Sequence, residues 1–212
     1  MPETIAPGFV KICGVTSLDD ARFVIAAGAS ALGLILAESS RQLAMDQARV
    51  IADATKGETL RFAVFRHNDD DFILEHVDAL GIDAVQVHGE LSASLLTALR
   101  ERPVLIVKAL SVDEPELLSF DDATVDAVLI DGSKPGSGES YSPDHLERRE
   151  FSVPVIAAGG LTPLNVAQLI TASGVAGVDT SSGVESHPGV KSHDLVADFI
   201  GNARAAFAAR KD

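Results

Sequence analysis

The sequence predicts a single (β/α)8 TIM barrel occupying residues 1–212. Eight short apolar runs recur along the chain, segments with helix start and stop residues lie between them, and no break in composition divides it. The runs are nearly continuous rather than alternating, which suits strands buried on both faces of a parallel sheet. An open doubly wound sheet is the main alternative, and eight units in so short a chain fit it less well.

The expected strands are FVKIC (9–13), ALGLIL (31–36), RFAVF (61–65), DAVQVH (83–88), VLIVK (104–108), DAVLID (126–131), VPVIA (153–157) and AGVD (176–179). The first helix opens on Ser17 as N-cap, carries acidic residues in its first turn and closes on Gly28. DDDFILEHVDALG repeats that plan and ends on Gly81, while TPLNVAQLITASG starts with Thr162 as cap and Pro163 at the first helical position. Further helices are expected at about 45–56, 91–100 and from Asp194 onward, with short ones at 113–119 and 144–149.

Composition narrows the function. Seventeen Lys and Arg against 31 Asp and Glu give a net charge of −14. That balance argues against nucleic acid and anionic membrane surfaces as partners, though not against small anions held in a locally positive pocket. One cysteine cannot form an internal disulfide, which fits a reducing cytoplasmic setting. The N-terminal stretch lacks the features of a signal peptide, and no apolar run reaches the length of a membrane span.

Chemistry in such barrels gathers at the C-terminal ends of the strands. Those ends carry Cys13, Gln86 with His88, Lys108, Asp131 and Asp179, with Arg41 and Arg66 in the loops after strands two and three. Each has a plain structural alternative: Cys13 as a small buried apolar group, Lys108 in an ion pair, His88 in a hydrogen bond, Asp179 as a cap. Gly159 and Gly160 follow strand seven, and Ser181, Ser182 and Gly183 follow strand eight. Glycines there let backbone N–H groups approach an anion, and barrels often bind phosphate at these two loops. The loop Lys134–Ser140 is either a lid or a simple surface loop.

The blocks KICGVT, VQVHGE, LIDGSKPGSG, AAGGLTPLNV and GVDTSSGVESHPGVKS closely resemble the signature segments of phosphoribosylanthranilate isomerases, in their order and spacing and over nearly the whole chain. The resemblance implies a ribulose-phosphate-binding barrel that performs a cofactor-free, metal-free Amadori rearrangement in tryptophan biosynthesis. By matching position Cys13 is the general base and Asp131 the general acid. Arg41 would hold the anthranilate carboxylate, with Gln86, His88 and Asp179 as further substrate contacts. Gly159, Gly160, Ser181, Ser182 and Gly183 would form the phosphate site. The partner is a small phosphosugar, and the chain is expected as a monomer or homodimer.

The sequence departs from the family pattern at Ser40, where a proline usually precedes the substrate arginine. It departs again at Arg66 and His67 after strand three, and at the PGSG of the strand-six loop. These positions bear on the shape of the anthranilate pocket. Two other readings stay open from the residues: a Schiff-base aldolase using Lys108, and a phosphosugar-binding barrel without activity.

Overall fold

A computed structural model describes residues 4–113, 117, 120–132 and 150–210. Eight parallel strands close into a barrel in sequence order. They are β1 (Phe9–Cys13), β2 (Ala31–Ile35), β3 (Leu60–Arg66), β4 (Ala84–His88), β5 (Leu105–Ser111), β6 (Ala127–Asp131), β7 (Val155–Ala158) and β8 (Gly177–Thr180). The barrel closes where β1 pairs with β8, with Lys11 beside Asp179. Helices α1 (Leu18–Ala26), α2 (Met45–Ala54), α3 (Asp70–Leu80), α4 (Ala93–Arg100), α5 (Val166–Ala172) and α6 (His193–Ala209) complete the described helical elements.

Alternation along each strand splits the apolar residues into two sets. Phe9, Cys13, Phe62, Val64, Ala84, Val107, Ala109 and Leu129 fill the barrel. Val10, Ile12, Val85, Val87, Ile106, Val128 and Val178 face the helices. Sequence capping works as read: Ser17 accepts from the Asp20 N–H, Asp69 from Phe72, and Gly81 ends α3 in the left-handed region at φ 52°. Arg61, only 2 % exposed, binds outside the barrel. It holds both carboxylate oxygens of Asp83 and donates to the Ala52 and Gly81 carbonyls, tying the ends of α2 and α3 to the sheet.

Three expectations change. β5 runs three residues beyond Lys108, to Ser111. α5 begins at Val166, so Thr162 and Pro163 are not its cap and first turn. The Asn165 side chain instead accepts from the Thr162 N–H and donates to the Gly160 carbonyl, holding the intervening residues in a turn. After β8 the chain forms a small antiparallel pair that the sequence reading did not include, β9 (Glu185–His187) with β10 (Val190–Lys191). The loop 134–140 and the segment 144–149 lie outside the described residues, as does most of 113–119.

Candidate active site

Period-two geometry decides which strand-end residues reach the barrel mouth. Cys13 ends β1 on the inner face and Asp131 ends β6 on the inner face, three strands away around the barrel. Gln86 and His88 share the inward parity of Ala84 on β4, and Asp179 that of Gly177 on β8. Lys108 has the opposite parity from Val107 and Ala109, which both face inward. Its ammonium donates to the Gly89 carbonyl at 2.5 Å and lies 5.7 Å from the Phe120 ring, between sheet and outer layer. Lys108 is therefore buried behind the sheet rather than inside the barrel, and the aldolase reading loses its nucleophile.

A different lysine occupies the interior. Lys11, fully buried, lies two residues before Cys13 and on the same face. Its Nζ donates to Asp179 Oδ2 at 2.9 Å and shares the space over Gly33 with the Cys13 thiol. Burial alone would lower Lys11, but Asp179 and Cys13 hold its ammonium above the ordinary value. The Cys13 thiol is raised above its ordinary value, by burial first and by Asp179, and Lys11 and Lys191 pull against that rise. Asp179 is likewise raised by burial against the pull of Lys11. Among the described residues its buried Oδ1 meets no hydrogen-bond partner, and the same holds for Gln86 Oε1 and Ser181 Oγ. Orphaned buried polar atoms at a mouth are groups set for a ligand or ordered water.

Room for the thiol comes from Gly33. A Cβ there would stand 2.8 Å from Cys13 Sγ and 3.2 Å from Lys11 Nζ. Gly14, next to the cysteine, serves another purpose. At φ 70° it gives space to the Arg41 stem and the Ser181 hydroxyl, which would lie 2.6 and 2.9 Å from an added Cβ.

Arg41 stands beside the mouth in the loop after β2. Its Nε and Nη2 donate to the two oxygens of Glu185, each at 2.7 Å. Lys191 donates to the same carboxylate at 2.9 Å and to the Ser181 carbonyl. Burial works against ionisation of Glu185, and the Arg41 and Lys191 hydrogen bonds override it, holding its carboxyl below the usual range. Two cations share one anion, so the group carries a net positive charge.

On the opposite wall His88 lies 2.8 Å from the Gln86 amide, which donates to its Nε2. Burial first, then the cations Lys11, Arg66, Lys108 and His67, lower His88 to about 4, so it is neutral near pH 7. Arg66 sits exposed at the rim. His67 follows at φ 54°, an unusual conformation for a side-chain-bearing residue, packed where a Gly89 Cβ would stand.

The loops after β7 and β8 touch. Gly159 and Gly160 hold φ 91° and 65°. Thr180 Oγ1 donates to the Leu161 carbonyl at 2.7 Å, and a Cβ on Gly183 would fall 1.9 Å from that same oxygen. Gly183 is thus required for loop-to-loop contact. Ser182–Val184 form one 3-10 turn and α5 has seven residues, so helix dipoles add little to an anion site here.

Sequence reading missed Lys11, Glu185 and Lys191. The signal for Lys11 was available: a charge inside FVKIC, at the same parity as Cys13. Among the described residues no cluster of His, Cys, Asp and Glu is arranged for a metal ion, and no helix is long and apolar enough to cross a membrane.

Residues 10–202 match the family model of N-(5′-phosphoribosyl)anthranilate (PRA) isomerase. An N-(5′-phosphoribosyl)anthranilate isomerase from Cellvibrio japonicus is 38% identical over 208 residues, covering 90% of this chain and 91% of that protein. The crystal structure of phosphoribosyl anthranilate isomerase from Thermotoga maritima superposes with a TM-score of 0.83 at 33% identity, covering 93% of this chain and 98% of that one. A structure of the isomerase in complex with reduced 1-(o-carboxyphenylamino)-1-deoxyribulose 5-phosphate matches with a TM-score of 0.77 at 33% identity, over 93% of this chain and 98% of that chain.

Proposed function

The chain belongs to the N-(5′-phosphoribosyl)anthranilate isomerase family, and on that premise we propose that Cys13 and Asp131 carry the two proton transfers of its reaction. It is an enzyme of tryptophan biosynthesis that isomerises N-(5-phosphoribosyl)anthranilate to 1-(2-carboxyphenylamino)-1-deoxyribulose 5-phosphate. The observation that carries the assignment is the shared direction of the two side chains, at the C-terminal ends of β1 and β6 on the inner face.

Asp131 gives its proton to the furanose ring oxygen. The C1′–O bond breaks, and the nitrogen lone pair forms the iminium. Cys13, as thiolate, removes the C2′ proton, and those electrons neutralise the iminium to an enolamine. Tautomerisation yields the ketone, so the product is an isomer and no redox partner is needed. An acid and a base on separate strands suit two transfers at different atoms.

Arg41 holds the anthranilate carboxylate. Glu185 occupies the Nε edge of its guanidinium, which leaves the Nη1–Nη2 edge for a second carboxylate. Neutral His88 with Gln86, and Asp179 through Oδ1, meet the ribose hydroxyls. Backbone N–H groups of Gly159, Gly160, Ser182 and Gly183, with the Ser181 hydroxyl, take the phosphate. Every residue in this scheme comes from one chain, so a monomer suffices for catalysis. A single fold unit and a cytoplasmic setting accord with it.

The test is turnover of N-(5-phosphoribosyl)anthranilate by purified protein, read beside rescue of a tryptophan-requiring strain lacking the isomerase. Cys13→Ala and Asp131→Asn should each lose about 10²–10⁴-fold in kcat. Either variant working within a few-fold of wild type removes that residue from the mechanism.

A further inference from the structure

We propose that Lys11 is the positioning residue that makes Cys13 a base, and that Asp179 sets how much of the lysine's charge the thiol receives. The inference rests on Cys13 being the base. Its ground is geometric: Asp179 of β8 holds Lys11 across the seam with β1, and Lys11 and Cys13 share one face of β1 over Gly33.

A thiol 6 % exposed has little water to stabilise its anion. The charged groups that face it are few. Lys11 comes from β1 itself, Asp179 from β8, Arg41 from the loop after β2 and Lys191 from β10, with Glu185 of β9 bound to the last two. β2 presents Gly33 and no charge. Arg41 and Lys191 spend their nearest donors on Glu185 and the Ser181 carbonyl. Of these cations Lys11 is the one that meets the sulfur over Gly33, where a single added carbon would stand 2.8 Å from Sγ and 3.2 Å from Nζ. Its Nζ donates to Asp179 Oδ2 at 2.9 Å and lies 5.4 Å from the centre of the Phe62 ring, an apolar neighbour.

A fully buried ammonium is costly unless paired, so Asp179 keeps Lys11 charged and in place. The same carboxylate opposes ionisation of Cys13. The two members of the pair therefore act on the thiol with opposite signs. A purely structural ion pair would give no such opposition, because either loss would only loosen the barrel.

Cys13 is the sole cysteine, so the pH dependence of its alkylation by iodoacetamide reports one group. Lys11→Met, close in volume and uncharged, should raise the midpoint by one unit or more, which is about tenfold less thiolate at a fixed pH below it. Asp179→Asn, nearly isosteric, should lower the midpoint. The acid limb of kcat/KM should move with the alkylation midpoint in each case. Unchanged midpoints in folded variants, or both moving the same way, would overturn the proposal. If Lys11→Met does not fold, Asp179→Asn carries the test, and an unmoved or raised midpoint there is equally fatal. Failure of the underlying reading looks different: Cys13→Ala would keep its activity, whatever the alkylation midpoints did.

Discussion

Arg41 grips Glu185 by one edge only: Nε and Nη2 each reach a carboxylate oxygen at 2.7 Å, and Lys191 anchors that carboxylate from behind at 2.9 Å. A guanidinium held this way is fixed in plane and still offers a second pair of parallel N–H groups. Arg41→Lys should therefore lose about 10- to 100-fold in kcat/KM, the worth of a hydrogen bond or two to a charged group. The loss should appear chiefly in KM if the carboxylate is held equally in ground and transition states. Glu185→Gln should raise KM by less, since Arg41 stays but is no longer held. A substrate analogue built on aniline, without the carboxylate, should show almost no further loss in Arg41→Lys. A full penalty on that analogue would give Arg41 a different task.

His88 titrates at about 4 in the folded chain, because burial and then Lys11, Arg66, Lys108 and His67 disfavour its cation. The unfolded chain takes up that proton near pH 6.5. Between those values the unfolded state binds more protons, so folding stability falls as pH drops from about 6.5 towards 4. His88→Asn should flatten that part of the stability curve. NMR should place the His88 midpoint far below those of exposed histidines, and a midpoint near 6.5 would refute the prediction.

Gly183 and Gly160 should fail in distinguishable ways. Gly183→Ala puts a carbon on the Leu161 carbonyl, so the two loops must part. KM should rise strongly, with loss of thermal stability. Gly160 holds φ 65°, which costs a side chain about 1–2 kcal/mol. Gly160→Val should raise KM as well, through intrusion on the anion. Protection of the free enzyme by inorganic phosphate should weaken in both variants. A crystal grown in sulfate with the ion elsewhere than between residues 159–160 and 181–183 would count against the site.

Arg61→Met tests stability away from the mouth. The guanidinium holds Asp83 through two nitrogens and also donates to the carbonyls of Ala52 and Gly81. Removing it strands those acceptors and should cost about 3 kcal/mol, roughly 6–12 °C in melting temperature for a domain of this size. Arg61→Lys should recover little, since a single ammonium cannot span three acceptor groups. Turnover at 25 °C should stay near wild type, and a large kcat loss would mean that the outer layer steers the site.

Most strands were legible to within a residue or two, because parallel strands buried on both faces must be apolar throughout. The same continuity hides which residues face inward. In β5 nothing marks parity, so Lys108 read as a mouth residue, and a strand end placed at the charged residue left out the continuation Ala109–Ser111. In β1 the reactive cysteine does mark parity, and counting back two positions finds Lys11. The start of α5 was misread because Thr162 and Pro163 look like a cap and first turn, while Asn165 folds back on them. Arg41 was identified from its motif, but its bond to Glu185 joins residues 144 apart and has no local sign.

The pair Lys11–Asp179 joins residues 168 positions apart. On a ribosome the carboxylate that holds the lysine follows it by 168 residues. Until β8 docks against β1, Lys11 lacks the carboxylate that holds it in the folded barrel. Burial of the thiol and its pairing with a charged Lys11 are therefore completed in one event, the closure of β8 on β1. A fragment ending before residue 177 should alkylate with the pH midpoint of an unstructured peptide.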